Sequence, residues 1–250
     1  MFSKKNIAKA KKIKILLMDV DGVLTDGKMY YLPDHKGEMV EFKAFHSLDG
    51  IGLRLLNQFG IRTGIISGRQ SPGTEERARQ LGMDYAYQGF LSKLAPLAEI
   101  LKGTGLKEEN VAYIGDDLTD IPVLKKAGLA CAPQSAQDEV KKVCDLITCK
   151  KGGGGAAREV CDFILKSQGH WKTVMGYVET AHWPQPPKAP MKVVIYSNKS
   201  VFKRGSVSGS GSMPEKRTTK GSLGASVLGG RLIHPERRAV RAGCGNKGGK

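Results

Sequence analysis

Between residues 62 and 166 short β-rich runs alternate without a break with segments whose apolar residues recur at helical spacing. This pattern predicts strands over 62–66, 85–87, 111–114, 129–132 and 146–148, and helices over 74–81, 93–102, 121–126, 137–143 and 156–166. Successive strands joined through single helices pair in parallel, and a parallel sheet needs cover on both faces. The expected fold is therefore α/β: a Rossmann-like parallel sheet with helices on both faces. The apolar run 13–18 adds a first buried strand. Runs 28–32 and 39–45 flank the turn-forming cluster Pro33-Asp34-His35-Lys36-Gly37 and read as a β-hairpin inserted after that strand. A helix over 50–59 follows it.

The alternation decides where chemistry can sit, because α/β sheets bind ligands at the carboxyl ends of their strands. Asp19-Val20-Asp21-Gly22 stands directly after the first strand. Two carboxylates separated by one residue converge only if the backbone turns, which Gly22 permits, and converging carboxylates call for a cation. A hard divalent ion such as Mg2+ suits them, leaving one carboxylate free to attack or to handle protons. Ser67-Gly68 follows the strand over 62–66 and offers a hydroxyl and backbone N–H groups to phosphate oxygens. Lys93 opens the next helix but one, where an ammonium can neutralise a phosphoryl group. Gly115-Asp116-Asp117-Leu118-Thr119-Asp120 follows the strand over 111–114 with further carboxylates. Carboxylate, hydroxyl, ammonium and carboxylate, in that order, make a phosphoryl-transfer site.

These four segments resemble the four motifs of the haloacid dehalogenase superfamily, specifically of its phosphatases. Residues 19–27, 42–52, 87–89, 111–117 and 152–160 are similar to the 3-deoxy-D-manno-octulosonate 8-phosphate phosphatase family, over roughly residues 10–172. The resemblance implies Mg2+-dependent hydrolysis of that sugar-acid phosphate in lipopolysaccharide synthesis, through an aspartyl-phosphate. Asp19 would be the nucleophile and Asp21 the general acid and then base; Ser67 and Lys93 would bind the phosphoryl group. Mg2+ would be held by Asp19, Asp21 and Asp116, with Asp117 and Asp120 ordering its waters or Lys93. Gly22 and Gly68 would approach the substrate through backbone, and Arg69 and Arg77 are candidates for its carboxylate. Arg69 favours the octulosonate branch over a nonulosonate 9-phosphate branch that carries an acidic residue there. Asp49 would orient a sugar hydroxyl or cap the helix after it, and Asp120 would equally serve as a cap for the helix from 121. Gly154 stands where relatives often carry a basic residue. Loss of any of Asp19, Asp21, Ser67, Lys93 or Asp116 would have favoured a non-catalytic partner protein; all are present.

Too few residues separate Asp19 from Ser67, or Lys93 from Asp116, for a cap domain. Tyr30, Tyr31, Met39, Val40, Phe42 and Phe45 give the hairpin more apolar surface than one subunit easily buries, and the resemblance implies a homotetramer. Three regions are expected: a basic lead over 1–12, a phosphatase domain over 13–183, and a basic, Gly/Ser-rich, disordered tail over 184–250. The tail holds 14 Lys/Arg against 2 Asp/Glu, most of the formal net charge of +16. It has only Tyr196 and Phe202 for base stacking, so nucleic acid is a weaker expectation than a small-molecule partner. Five cysteines without a Cys-x-x-Cys pair indicate reduced thiols in a cytoplasm, and no apolar stretch is long enough for a membrane span.

Overall fold

The computed structural model describes residues 3–183 and 190–196, with the backbone of 240–241. The expected alternation folds as β1 (Ile15–Met18), α2 (Ser47–Gln58), β4 (Arg62–Ser67), α3 (Pro72–Leu81), β5 (Tyr85–Gln88), α4 (Leu94–Thr104), β6 (Val111–Ile114), α5 (Ile121–Lys126), β7 (Leu129–Ala132), α6 (Asp138–Val143), β8 (Leu146–Ile147) and α7 (Ala156–Ser167). Every pairing in the main sheet is parallel, with β1 central between β4 and β6.

Side-chain alternation along β1 divides the core into two layers. Leu16 and Met18 pack with Leu53, Leu56, Val160, Phe163 and Ile164 of α2 and α7. Ile15 and Leu17 face the other way, onto Leu97, Ile100, Val123, Leu124 and Val140 of α4, α5 and α6. All four β1 side chains are fully buried, and each contributes about 1.5–3 kcal/mol by leaving water. A polar substitution at any of them would break one layer, so the strand that delivers Asp19 is held rigidly from both sides.

The hairpin forms as β2 (Tyr30–Pro33) and β3 (Met39–Phe42), an antiparallel pair with Tyr30 opposite Phe42. It is a separate two-stranded sheet, and no cap domain occurs among the described residues.

Four differences from the sequence reading stand out. The basic lead forms helix α1 (Lys4–Ala10): Ser3 accepts from the Asn6 backbone N–H at 3.1 Å. Asn6 and Lys9 then reach Asp145, at 2.8 Å to its carbonyl and 2.5 Å to its carboxylate. A helix α8 (Trp171–Glu179) follows α7. Within the region expected to be disordered, β9 (Lys192–Ile195) pairs with β5, and β10 (Val240–Arg241) pairs with β8, one at each edge. The β-branched run at 193–195 explains the first, since it can complete the bare edge of β5. Residues 184–189, 197–239 and 242–250 lie outside the described residues. Cys131, Cys144 and Cys161 are buried thiols, whereas Cys149 is disulfide-bonded, a departure from the expected set of reduced thiols. Among the described residues no helix is long and apolar enough to cross a membrane.

Candidate active site

Asp19 leaves β1 with its N–H on the carbonyl of Ile114, 2.9 Å away, which ties it to the end of β6. The chain then turns sharply: the carbonyl of Val20 accepts from the N–H groups of Leu24 (2.9 Å) and Thr25 (3.0 Å). Gly22 makes the turn possible, with φ +87°. A Cβ there would also lie 2.0 Å from Oδ2 of Asp116, so no other residue fits between the two acidic loops. The Gly-rich loop seals this turn from outside, since a Cβ on Gly152 would stand 1.7 Å from the Gly22 carbonyl oxygen.

Lys93, the residue before α4, is almost fully buried and joins two of the carboxylates. Its Nζ lies 2.9 Å from Asp19 Oδ2 and 2.7 Å from Asp120 Oδ1. Burial works to lower its pKa, but the two carboxylates outweigh that and hold it above the ordinary lysine value. Asp120 is completely buried and serves as a hub rather than a helix cap. Its Oδ1 also accepts from Tyr113 Oη at 2.7 Å, and its Oδ2 accepts from the backbone N–H groups of Asp116 (3.1 Å) and Asp117 (3.2 Å). It makes no capping bond to α5.

Carboxylate oxygens of Asp19, Asp116 and Asp120 all lie within 4.8 Å of one another. Burial, opposed by Lys93 and reinforced by Asp120, pushes the Asp19 pKa up to about 6. Burial with the charges of Asp19 and Asp120 pushes Asp116 up to about 8. Oδ1 of Asp116 is buried without a hydrogen-bond partner. Crowded carboxylates, one with an orphaned oxygen, are the donor set that a hard divalent cation such as Mg2+ requires, so these residues fit one.

The remaining expected residues distribute unevenly. Ser67, at the end of β4, is buried, and its Oγ accepts from the Arg69 N–H at 3.1 Å. A Cβ on Gly68 would meet Leu91 alone, 3.1 Å from its nearest side-chain carbon. Asp21 turns its side chain away from the carboxylate cluster, onto Lys43, with Arg69 Nε 3.9 Å away. Asp117 is exposed and caps its own turn through the Leu118 N–H at 2.8 Å. Asp49 and Arg77 meet elsewhere, lining a small cavity with Leu24, Phe45, His46, Gly50 and Leu81. There Asp49 accepts from the Arg158 N–H at 2.7 Å, and burial raises its pKa. Two charged residues of the site were missed from sequence: Glu41, paired with Arg69, and Lys43, paired with Asp21. Their signal was available, because two opposite charges two residues apart in an otherwise apolar strand share one face.

A family model for haloacid dehalogenase-like hydrolases matches residues 87–160. The 3-deoxy-D-manno-octulosonate 8-phosphate phosphatase of Escherichia coli K12 is 44% identical over 163 residues, covering 65% of this chain and 85% of the relative. The chain belongs to this phosphatase family. Among solved structures, the family's enzyme from Moraxella catarrhalis, in complex with a magnesium ion, a phosphate ion and a KDO molecule, is 40% identical with a TM-score of 0.66. That match covers 70% of this chain and 98% of the other. A probable YrbI family phosphatase from Pseudomonas syringae gives 41% identity and a TM-score of 0.67, over 71% of this chain and 98% of its own. Membership in the family agrees with the order of the four loops and with the single-layer hairpin in place of a cap.

Proposed function

We propose that the chain hydrolyses 3-deoxy-D-manno-octulosonate 8-phosphate to the free sugar acid and inorganic phosphate, with Mg2+ and through an aspartyl-phosphate on Asp19. The observation that carries this reading is the junction of Asp19, Lys93, Asp120 and Asp116: a nucleophile oriented by an ammonium, beside an acidic cluster with an unsatisfied oxygen.

The reaction has two displacements. An oxygen of Asp19 attacks phosphorus as the bond to the sugar oxygen breaks, and Asp21 donates the proton that this oxygen needs to leave. Asp21, now a carboxylate, takes a proton from the water that attacks the phosphoryl group and frees Asp19. Lys93 and Ser67, with the backbone N–H groups after Ser67, hold the equatorial oxygens, where the transition state spreads its charge. Asp19 and Asp116, with the backbone carbonyl of Asp21, would hold Mg2+. When bound it neutralises the carboxylates and the phosphoryl oxygens so that anion can approach anion.

Arg69 sits at the rim of the same mouth, half-exposed and within reach of Asp21. Its guanidinium suits the carboxylate of a 2-keto sugar acid. With no cap among the described residues, closure falls to the hairpin, whose Tyr31, Leu32, Met39, Val40 and Phe42 are all exposed. We read this surface as the contact between subunits of a homotetramer, and the enzyme as cytoplasmic. The test is phosphate release from a panel of sugar phosphates, with and without Mg2+, using Asp19→Asn as control. The reading expects Mg2+-dependent preference for the eight-carbon 2-keto-3-deoxy acid. Preference for a neutral hexose phosphate, or turnover surviving in Asp19→Asn, would overturn it.

A further inference from the structure

Glu41 and Lys43 stand two residues apart, on the face of the hairpin turned towards the body, while Val40 and Phe42 point out. Their partners are the two charged groups beside the catalytic cluster. Lys43, only 4% exposed, donates to Asp21 Oδ1. Glu41 accepts from Arg69 through Oε2, and Tyr31 of the same hairpin adds a hydrogen bond with the guanidinium. The Oε1 of Glu41 is buried without a hydrogen-bond partner, 3.7 Å from Lys43 Nζ. Burial acts against the Glu41 charge, but Arg69 and Lys43 outweigh it and keep its pKa below the ordinary value. Arg69 thus already holds a carboxylate, carried by a hairpin that also meets the body through Lys43 on Asp21 and Glu41 on Ser71.

We propose that Glu41 is a specificity-determining residue that competes with the substrate: it occupies Arg69 in the empty site, yields to the carboxylate of an incoming sugar acid, and retakes Arg69 to release the product. The idea rests on Arg69 binding the substrate carboxylate. Exchange is feasible because the displaced Glu41 keeps a cationic neighbour in Lys43 and a hydroxyl partner in Ser71. Arg69 is 46% exposed, so the pair it gives up is a partly solvated one, and a weak competitor is what turnover needs. The mechanism also assigns the hairpin a role in the site from within the same chain, separate from any contact between subunits.

The test compares wild type with Glu41→Gln and Glu41→Asp, each with saturating Mg2+. Substrates are a 2-keto-3-deoxy sugar-acid phosphate and a neutral sugar phosphate, and the free sugar acid is the product inhibitor. Glu41→Gln should lower KM for the acid substrate and the inhibition constant of the free acid by about fivefold, the upper end for a half-exposed ion pair. KM for the neutral phosphate should stay unchanged, and the effect should vanish in an Arg69→Gln background. Glu41→Asp, which shortens the reach, should move in the same direction, so a folding defect confined to one variant does not decide the outcome. A rise in KM for the acid substrate would make Glu41 a support for Arg69 and overturn the proposal. Equal changes for both substrates, or no change, would overturn it as well. If Arg69→Gln alone leaves acid and neutral substrates equally affected, the assignment of Arg69 to the carboxylate fails, a result distinct from any outcome at position 41.

Discussion

Asp120→Asn replaces a carboxylate by an amide of the same shape at the centre of the site. The carboxylate receives four donors, two on each oxygen: Lys93 and Tyr113 at 2.7 Å, and the N–H groups of Asp116 and Asp117 at 3.1 and 3.2 Å. An amide has one accepting oxygen and one donating NH2. If its oxygen faces Lys93, the NH2 confronts two backbone N–H groups; if it is flipped, the NH2 confronts the ammonium. Each buried donor left unsatisfied costs about 1–3 kcal/mol. Removing one partner of a buried pair typically costs about 3–5 kcal/mol. Lys93 retains Asp19 at 2.9 Å, so the low end applies, about 3 kcal/mol. For a chain of this size that is a Tm lower by roughly 6–12 °C. Because the Asp116 loop and Lys93 lose a common anchor, kcat should also fall by about 10- to 100-fold. Urea unfolding with saturating Mg2+, where the cation balances the neighbouring carboxylates, measures the first effect, and phosphate release the second. A loss below about 1 kcal/mol with kcat intact would refute the assignment of Asp120 as the hub, since it would mean that no donor depends on its charge.

Two further outcomes follow from the same geometry. Asp19 at about 6 and Asp116 at about 8 have native pKa values above their unfolded ones, so the cation-free fold binds more protons than the unfolded chain between pH 4 and 8. Its stability therefore falls as pH rises through that window, and the Tm gain on adding Mg2+ should grow from pH 5 to pH 8, with proton release on binding measurable by calorimetry in buffers of different ionisation heat; a gain independent of pH would be inconsistent with these shifts. Leu32 and Val40, cross-strand partners 57% and 50% exposed, carry the outward apolar face of the hairpin. The double change Leu32→Glu with Val40→Lys should shift the assembly to smaller species in sedimentation velocity, and an unchanged sedimentation coefficient would remove the hairpin from the subunit contact.

The catalytic loops were legible because each belongs to a strand end, and a buried parallel strand announces itself by a short apolar run with polar residues at its stop. Asp19 after β1, Ser67 at the end of β4 and Asp116 after β6 are placed by that rule alone. Asp120 was ambiguous in sequence, since an aspartate before Ile121-Pro122 reads equally as a cap. Only the positions of Lys93, 27 residues away, and Tyr113 decide for the hub. Glu41 and Lys43 were missed for a different reason. Charges alternating with Val40 and Phe42 look like the solvated face of an amphipathic strand, and here the apolar face is the exposed one. The polarity of the hairpin is inverted because its inner side meets ions, not the core. Helix α1 was hidden similarly: its lysines mask a helix whose anchors, Asn6 and Lys9, find Asp145 on the far side of the chain.

That inversion links substrate binding to whatever covers the hairpin. Side chains alternate along β3 and into Lys43 just beyond it, so Val40 and Phe42 cannot be pressed inward without moving Glu41 and Lys43 against Arg69 and Asp21. A neighbour seated on the apolar face would therefore act on the acid/base residue and on the carboxylate anchor at once, through a rigid two-stranded lever rather than through a chain of packed side chains. The converse also holds by reciprocity: a substrate that draws Arg69 away from Glu41 loosens the ionic tie of the hairpin to its own body and alters the surface offered outward. The coupling holds only while the two faces of that hairpin remain chemically opposite.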